Sequence, residues 1–178
     1  MTRYIAFLRA INVGGHTVKM DQLRGLFEAL GLANVETFIA SGNVIFETKE
    51  KSPSSLETKI AAHLETSLGF EVDTFLRTIE EVAAIARRSP FKAETKNDNI
   101  YVAFLHEILS ASGKTTLMDA RNKGNEFATL HREIYWLRLN KDESIFLKSS
   151  LEKILKLSTT VRNMTTIHKI LEKVHEGA

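Results

Sequence analysis

An arginine, an asparagine, two adjacent glycines and a histidine crowd into one polar stretch near the start of the chain, Arg9-Ala10-Ile11-Asn12-Val13-Gly14-Gly15-His16-Thr17. Glycine pairs permit positive φ angles and leave backbone amides open. A helix start just beyond them would add positive potential, which suits an anion. The competing reading is a tight connection, with His16 an ordinary exposed loop histidine. If the chain catalyses a reaction, His16 is the natural general base. Ser41-Gly42-Asn43 offers a hydroxyl and an amide, though a tight hairpin turn selects the same residue types. A third group sits in Ser158-Thr159-Thr160-Val161-Arg162-Asn163-Met164-Thr165-Thr166, where Asn163 is suited to cap a following helix. Arg162 would then stand at the positive end of a helix dipole, a mildly unfavourable place for a cation that an anionic partner would relieve.

Several chemistries drop out. The chain has no cysteine, which removes disulfides, thiol nucleophiles and thiolate metal sites and points to a reducing compartment. The six histidines, His16, His63, His106, His131, His168 and His175, show no close ligand spacing, so no metal site and no cofactor is expected. Ser112-Gly113-Lys114-Thr115-Thr116 resembles the end of a phosphate-binding loop, but Ile108 occupies the position of its first glycine. No nucleophile elbow or catalytic carboxylate pair stands out, and the catalytic residues stay unassigned.

The elements that would position these residues follow from periodicity. With 43% hydrophobic and 26% charged residues the 178-residue chain is composed like a folded globular protein and needs no staple. Residues 4–8 read as a buried strand, and Met20, Leu23, Leu26, Phe27 and Leu30 as the apolar face of a helix over 20–30. Val35–Ala40 and Val44–Thr48 flank Ser41-Gly42-Asn43 as a hairpin. Leu56, Ile60, Leu64 and Leu68 mark a second helix, Phe70–Leu76 reads as a fourth strand, and Thr78 with Glu81 opens a helix to about Arg88. The order β-α-β-β-α-β is that of a ferredoxin-like unit.

From Asn99 the scheme restarts: a strand to His106, a helix around Thr115–Arg121, and hairpin strands Glu126–His131 and Glu133–Asn140. Two helices follow, over Ile145–Leu157 and Asn163–His175. The expectation is an α+β fold of two ferredoxin-like halves with antiparallel sheets and a C-terminal helical segment. The halves are 1–88 and 89–178, with the boundary in 89–98. Duplication is inferred from element order alone.

Arg9 to Gly15, Val35 to Phe46 around Ser41-Gly42-Asn43, and Thr160 to Thr165 together resemble family 1697 of the domains of unknown function, over essentially the whole chain. The family is widespread in bacteria, and the resemblance implies no activity. Phe38, Ala40 and Met164 stand where the family usually has tyrosine, glutamine and tryptophan. Arg9, Asn12, Ser41, Asn43, Arg162 and Asn163 are the polar motif positions that packing needs least. With Gly14, Gly15, His16 and Gly42 they form the expected ligand-binding set, converging on one surface; the competing reading has Arg162 and Asn163 tie the C-terminal helix to the two loops through buried hydrogen bonds.

Arginine forks and amides satisfy phosphate or carboxylate oxygens, so the leading expectation is binding of a small anionic or phosphorylated ligand. One alternative is RNA binding through a sheet displaying Tyr4, Phe7, Tyr101 and Phe104, against which the net charge of +2 gives little counterion-release drive. Another is an enzyme acting on a phosphorylated or acylated small molecule, with His16 as base and Arg162 stabilising negative charge. Ile134-Tyr135-Trp136-Leu137-Arg138-Leu139 could present a partner-binding edge for a homodimer. Met1–Arg9 is too short an apolar run for a signal peptide or membrane span, which places the chain in the cytoplasm without a membrane partner.

Overall fold

A computed structural model of the chain describes residues 1–38, 42–88, 90–91, 99–139 and 148–176. Two compact units emerge, Met1–Ala83 and Ala84–Ala178.

In the first unit, strand β1 (Thr2–Leu8) leads to helix α1 (Met20–Ala29), the hairpin strands β2 (Ala33–Phe38) and β3 (Asn43–Thr48), helix α2 (Pro53–Leu68) and strand β4 (Thr74–Thr78). The strands form an antiparallel sheet in the order β2-β3-β1-β4. Tyr4, Ala6, Leu8, Val44, Phe46 and Leu76 alternate onto one face, where Leu23 and Phe27 of α1 and Leu56, Ile60 and Leu64 of α2 complete a buried core. Local chemistry sets the helix ends. Ser52 Oγ accepts from Ser55 N, Pro53 occupies the first turn, and Gly69 stops α2 at a φ of 80°.

Thr78 and Glu81 make the expected capping box at α3 (Ile79–Arg87): Thr78 N donates to Glu81 Oε2 at 2.7 Å, and Glu81 N to Thr78 Oγ1 at 3.2 Å. The division between the units falls inside this helix, upstream of the 89–98 segment in which the sequence places it.

The second unit runs β5 (Ile100–Phe104), α4 (Ala111–Asp119), β6 (Asn125–Leu130), β7 (Glu133–Arg138), α5 (Lys148–Leu155), β8 (Thr160–Asn163) and α6 (Met164–Glu176). Its sheet order, β6-β7-β5-β8, is the same arrangement again, so both units are ferredoxin-like. Ala103, Leu105, Leu117, Phe127, Ile134, Trp136, Leu151 and Val161 form its helix-side core.

The structure corrects several boundaries. β8 is absent from the sequence reading, which passes straight from a loop into the last helix; only four residues long, it gives no periodic signal. β4 begins at Thr74, not Phe70, because Phe70 packs on the core before the strand starts. α4 begins at Ala111 because Ser110 caps it. β7 lies between β6 and β5, so Ile134–Arg138 is an interior strand with both edges paired and offers no free edge to a partner. Among the described residues no helix is long and apolar enough to cross a membrane.

Candidate functional site

The polar stretch after β1 is held at both ends. Leu8 N donates to Gly42 O at 2.8 Å, and Arg9 N to Asp73 O at 2.9 Å. Asn12 Oδ1 accepts from Val18 N at 2.8 Å, which draws the far end of the loop back towards its start. Inside the loop His16 N donates to Val13 O at 3.1 Å, and the exposed His16 ring stacks on Phe70 with centroids 4.0 Å apart and planes 19° from parallel.

Left-handed backbone recurs along it, at Ala10 (φ 68°), Asn12 (φ 54°), Gly14 (φ 61°) and Gly15 (φ 88°). An alanine in that region costs about 1 kcal/mol or more, so the contacts around the loop must hold it there. Both glycines are exposed, with no atom within 4 Å of where a Cβ would stand. Their amides donate no hydrogen bond within the described residues.

Gly42 is a different kind of glycine. A methyl group there would lie 2.9 Å from Ile11 Cβ and 3.1 Å from Leu8 Cβ, and its φ is 76°. Its lack of a side chain lets the hairpin close against the start of the polar loop, so two of the three sequence motifs meet in the first unit. Asn43, fully buried, donates from Nδ2 to Phe38 O at 3.1 Å and braces the same hairpin. Ser41 lies outside the described residues.

Arg162 and Asn163 belong to the second unit. Asn163 caps α6 as expected, its Oδ1 accepting from Thr165 N at 2.8 Å. Arg162 is a strand residue, 6% exposed, whose Nη1 donates to Thr160 Oγ1 at 2.8 Å and Val161 O at 3.0 Å. Burial lowers its pKa to about 10. Those hydrogen bonds give it work within β8 itself.

The aromatic residues proposed for nucleic-acid display are not displayed. Tyr4 and Tyr101 pack with the helix-side cores, and Phe7 and Phe104 are fully buried. The Ser112–Thr116 motif lies within α4, with Gly113 N donating to Ser110 Oγ at 3.1 Å as a helix cap.

A family model described as a protein of unknown function, DUF1697, matches residues 1–135. The chain belongs to the DUF1697 family. That match covers the whole first unit and the second as far as β7. Among solved structures, a conserved bacterial protein of Streptococcus pneumoniae is similar, with a TM-score of 0.75 and 25% sequence identity. The alignment covers 98% of this chain and 99% of that one. No curated protein matches.

Sequence reasoning inferred the repeat from element order alone and missed the residue identities that mark it. Tyr4-Ile5-Ala6-Phe7-Leu8 and Tyr101-Val102-Ala103-Phe104-Leu105 occupy the same place in the two sheets. Tyr4 pairs with Phe46 and Tyr101 with Trp136, while Ile5 pairs with Arg77 and Val102 with Arg162. Arg77 is therefore the counterpart of Arg162, and it too is buried, with Nη1 donating to the preceding carbonyl, Leu76 O, at 2.8 Å. Even the hairpin closures match: Leu8 N to Gly42 O in one unit, Leu105 N to Arg132 O at 2.9 Å in the other. The signal was present as four identities in five residues.

Proposed function

We propose that the loop between β1 and α1 binds a small anionic ligand through the Gly14 and Gly15 amides, with Arg9 supplying positive charge and His16 a ring at the rim. The observation that carries this reading is the pair of adjacent, exposed, left-handed glycines whose amides donate to no acceptor among the described residues, in a loop held at both ends. Consecutive open amides form a concavity suited to an oxyanion, and a braced loop loses little entropy on binding. Asn12, Gly42 and Asn43 serve this site by shaping it. Arg162 and Asn163, whose side chains hydrogen-bond within β8 and at the start of α6, are given no part in this reading.

The test is a titration with inorganic pyrophosphate followed by amide resonances. Those of Gly14, Gly15 and His16 are expected to move saturably, and Arg9→Gln to weaken binding by roughly tenfold, the effect of losing one charge-assisted hydrogen bond. Shifts confined to other parts of the chain, or an Arg9→Gln variant that binds as the wild type does, would reject the site.

A further inference from the structure

A tight turn and a pair of stacked rings meet in the polar loop of the first unit. His16 N donates to Val13 O at 3.1 Å, and the two residues between them, Gly14 and Gly15, both have positive φ. That combination is a type I′ turn, whose end residues approach within about 7 Å. Val13 and His16 therefore flank the two glycines, and both are exposed, Val13 at 57%. The His16 ring lies on Phe70, and Phe70 is in turn packed on the core.

The repeat shows that this ring pair is no requirement of the scaffold. Gly69 ends α2 with a φ of 80° and its amide on Glu65 O, and Lys156 follows α5 with a φ of 54° and its amide on Glu152 O. Phe70 and Leu157, each the residue after a left-handed helix end, are thus counterparts. Phe70 carries an imidazole on its face, whereas Leu157 remains 46% exposed. With one face on Phe70, the exposed His16 ring turns its other face and its edges to solvent beside the Gly14 and Gly15 amides. A ring already held in place loses little freedom when a second ring stacks on it.

We infer that the ligand of the anion site is a mononucleotide, its phosphate on the Gly14 and Gly15 amides and its base stacked on the outer face of His16. This rests on the anion site proposed above and gives its ligand a chemical class. Consecutive Cα atoms stand about 3.8 Å apart, so the ring and the amides lie within roughly 7 Å of each other, a gap that a ribose spans. Every base has a π-face, so stacking selects for a base without choosing among them, and Val13 adds apolar surface beside it. A free nucleotide fits better than a nucleic-acid strand, because the net charge of +2 gives little counterion release and Phe7 and Phe104 are buried away from any base.

Adenosine monophosphate and ribose 5-phosphate, titrated separately into the full chain and followed by amide resonances, isolate the contribution of the base. Both should move Gly14, Gly15 and His16 saturably, with adenosine monophosphate about tenfold tighter, as for one stacked base, and its adenine ring protons shifted upfield. His16→Ala should bring the ratio of the two affinities close to one, whereas His16→Phe, which keeps a ring, should preserve it. If pyrophosphate and ribose 5-phosphate bind at these amides and adenosine monophosphate binds no more tightly, the mononucleotide is overturned and the anion site stands. If none of the three moves them, both fall. A ratio lost in His16→Phe as in His16→Ala, or a phosphorylated oligoadenylate that binds much more tightly than the monophosphate, would also overturn the inference.

Discussion

The two sheets share a strand order and a pairing register but differ in what their first connections carry. After β1 the chain makes a long, glycine-bearing loop from Arg9 to Lys19. After β5 it turns directly into α4 through residues 105–110. What is repeated in both is the support. Each has an aromatic pair on the helix side, Tyr4 with Phe46 and Tyr101 with Trp136. A helix carboxylate meets the backbone at each last strand, Glu57 Oε1 accepting from Leu76 N within β4 at 2.7 Å and Glu152 Oε1 from Thr159 N, the residue before β8, at 3.1 Å. Such contacts blunt an exposed strand edge. The comparison separates residues that hold a ferredoxin-like unit together from residues that one unit alone has acquired, and function is to be sought among the latter.

Arg77 and Arg162 test that separation most severely. If both hold their last strand in place, Arg77→Ala and Arg162→Ala should each lower unfolding free energy by about 2–4 kcal/mol, through lost packing of a buried long side chain. Arg162→Met should regain most of the loss, because it keeps an apolar stem and discards a charge whose burial already depresses its pKa to about 10. Urea unfolding of the four single variants, Arg77→Met included, measures this. An Arg162→Ala variant as stable as wild type would break the equivalence and return Arg162 to a role outside the scaffold.

The hairpin turns come next. Gly42→Ala combines a left-handed φ with a methyl group 2.9 Å from Ile11 Cβ, and should cost about 2–3 kcal/mol. Its counterpart Arg132 already bears a side chain, so Arg132→Ala should cost at least about 1 kcal/mol less. Gly15→Ala, strained in φ alone, should cost about 1 kcal/mol. Thermal melting of the three variants orders them.

Much of this architecture was legible in the sequence, and the exceptions have physical causes. The hairpin, α1, α2 and α6 announce themselves because apolar spacing and capping residues agree locally: Ser52 and Pro53 open α2, and Asn163 opens α6. β8 gives no such signal. Four residues cannot show a period, and Arg162 at an inward position contradicts the apolar alternation expected of a buried strand. The polar loop was legible as a candidate, but the assignment of labour within it was not. Asn12 and Asn43 look like ligand contacts until their partners, Val18 N and Phe38 O, are brought to them by the fold.

A third contrast lies in the aromatic pair. Trp136 occupies the place of Phe46 but carries an indole N–H, and Nε1 donates to the fully buried Asn125 Oδ1 at 2.7 Å. Asn125→Ala strands that donor and should cost about 1–3 kcal/mol. Adding Trp136→Phe, which copies the first unit, should return part of the loss, since neither polar partner is then left alone. A double-mutant cycle by urea unfolding gives the coupling, and strict additivity would show that the indole does not depend on Asn125.

The smallest effect concerns Tyr135, at the place of Ile45. Burial, reinforced by the charge of Glu133 and partly offset by Arg88, pushes its pKa up to about 12 from the ordinary value of 10. Its hydroxyl donates to Ile85 O at 3.4 Å, a long bond that adds little. The unfolded chain releases the Tyr135 proton near pH 10, while the folded chain keeps it until about 12. Between those values the unfolded state binds fewer protons, so stability falls as pH rises. The contribution is fully present below pH 10 and gone above the folded pKa. Tyr135→Phe, like the isoleucine of the first unit, has no such proton, and its stability should decline less steeply from pH 10 to 12. Parallel slopes for the two proteins, measured by urea unfolding across that window, would mean that the phenol ionises alike in both states and that this replacement makes no difference between the units.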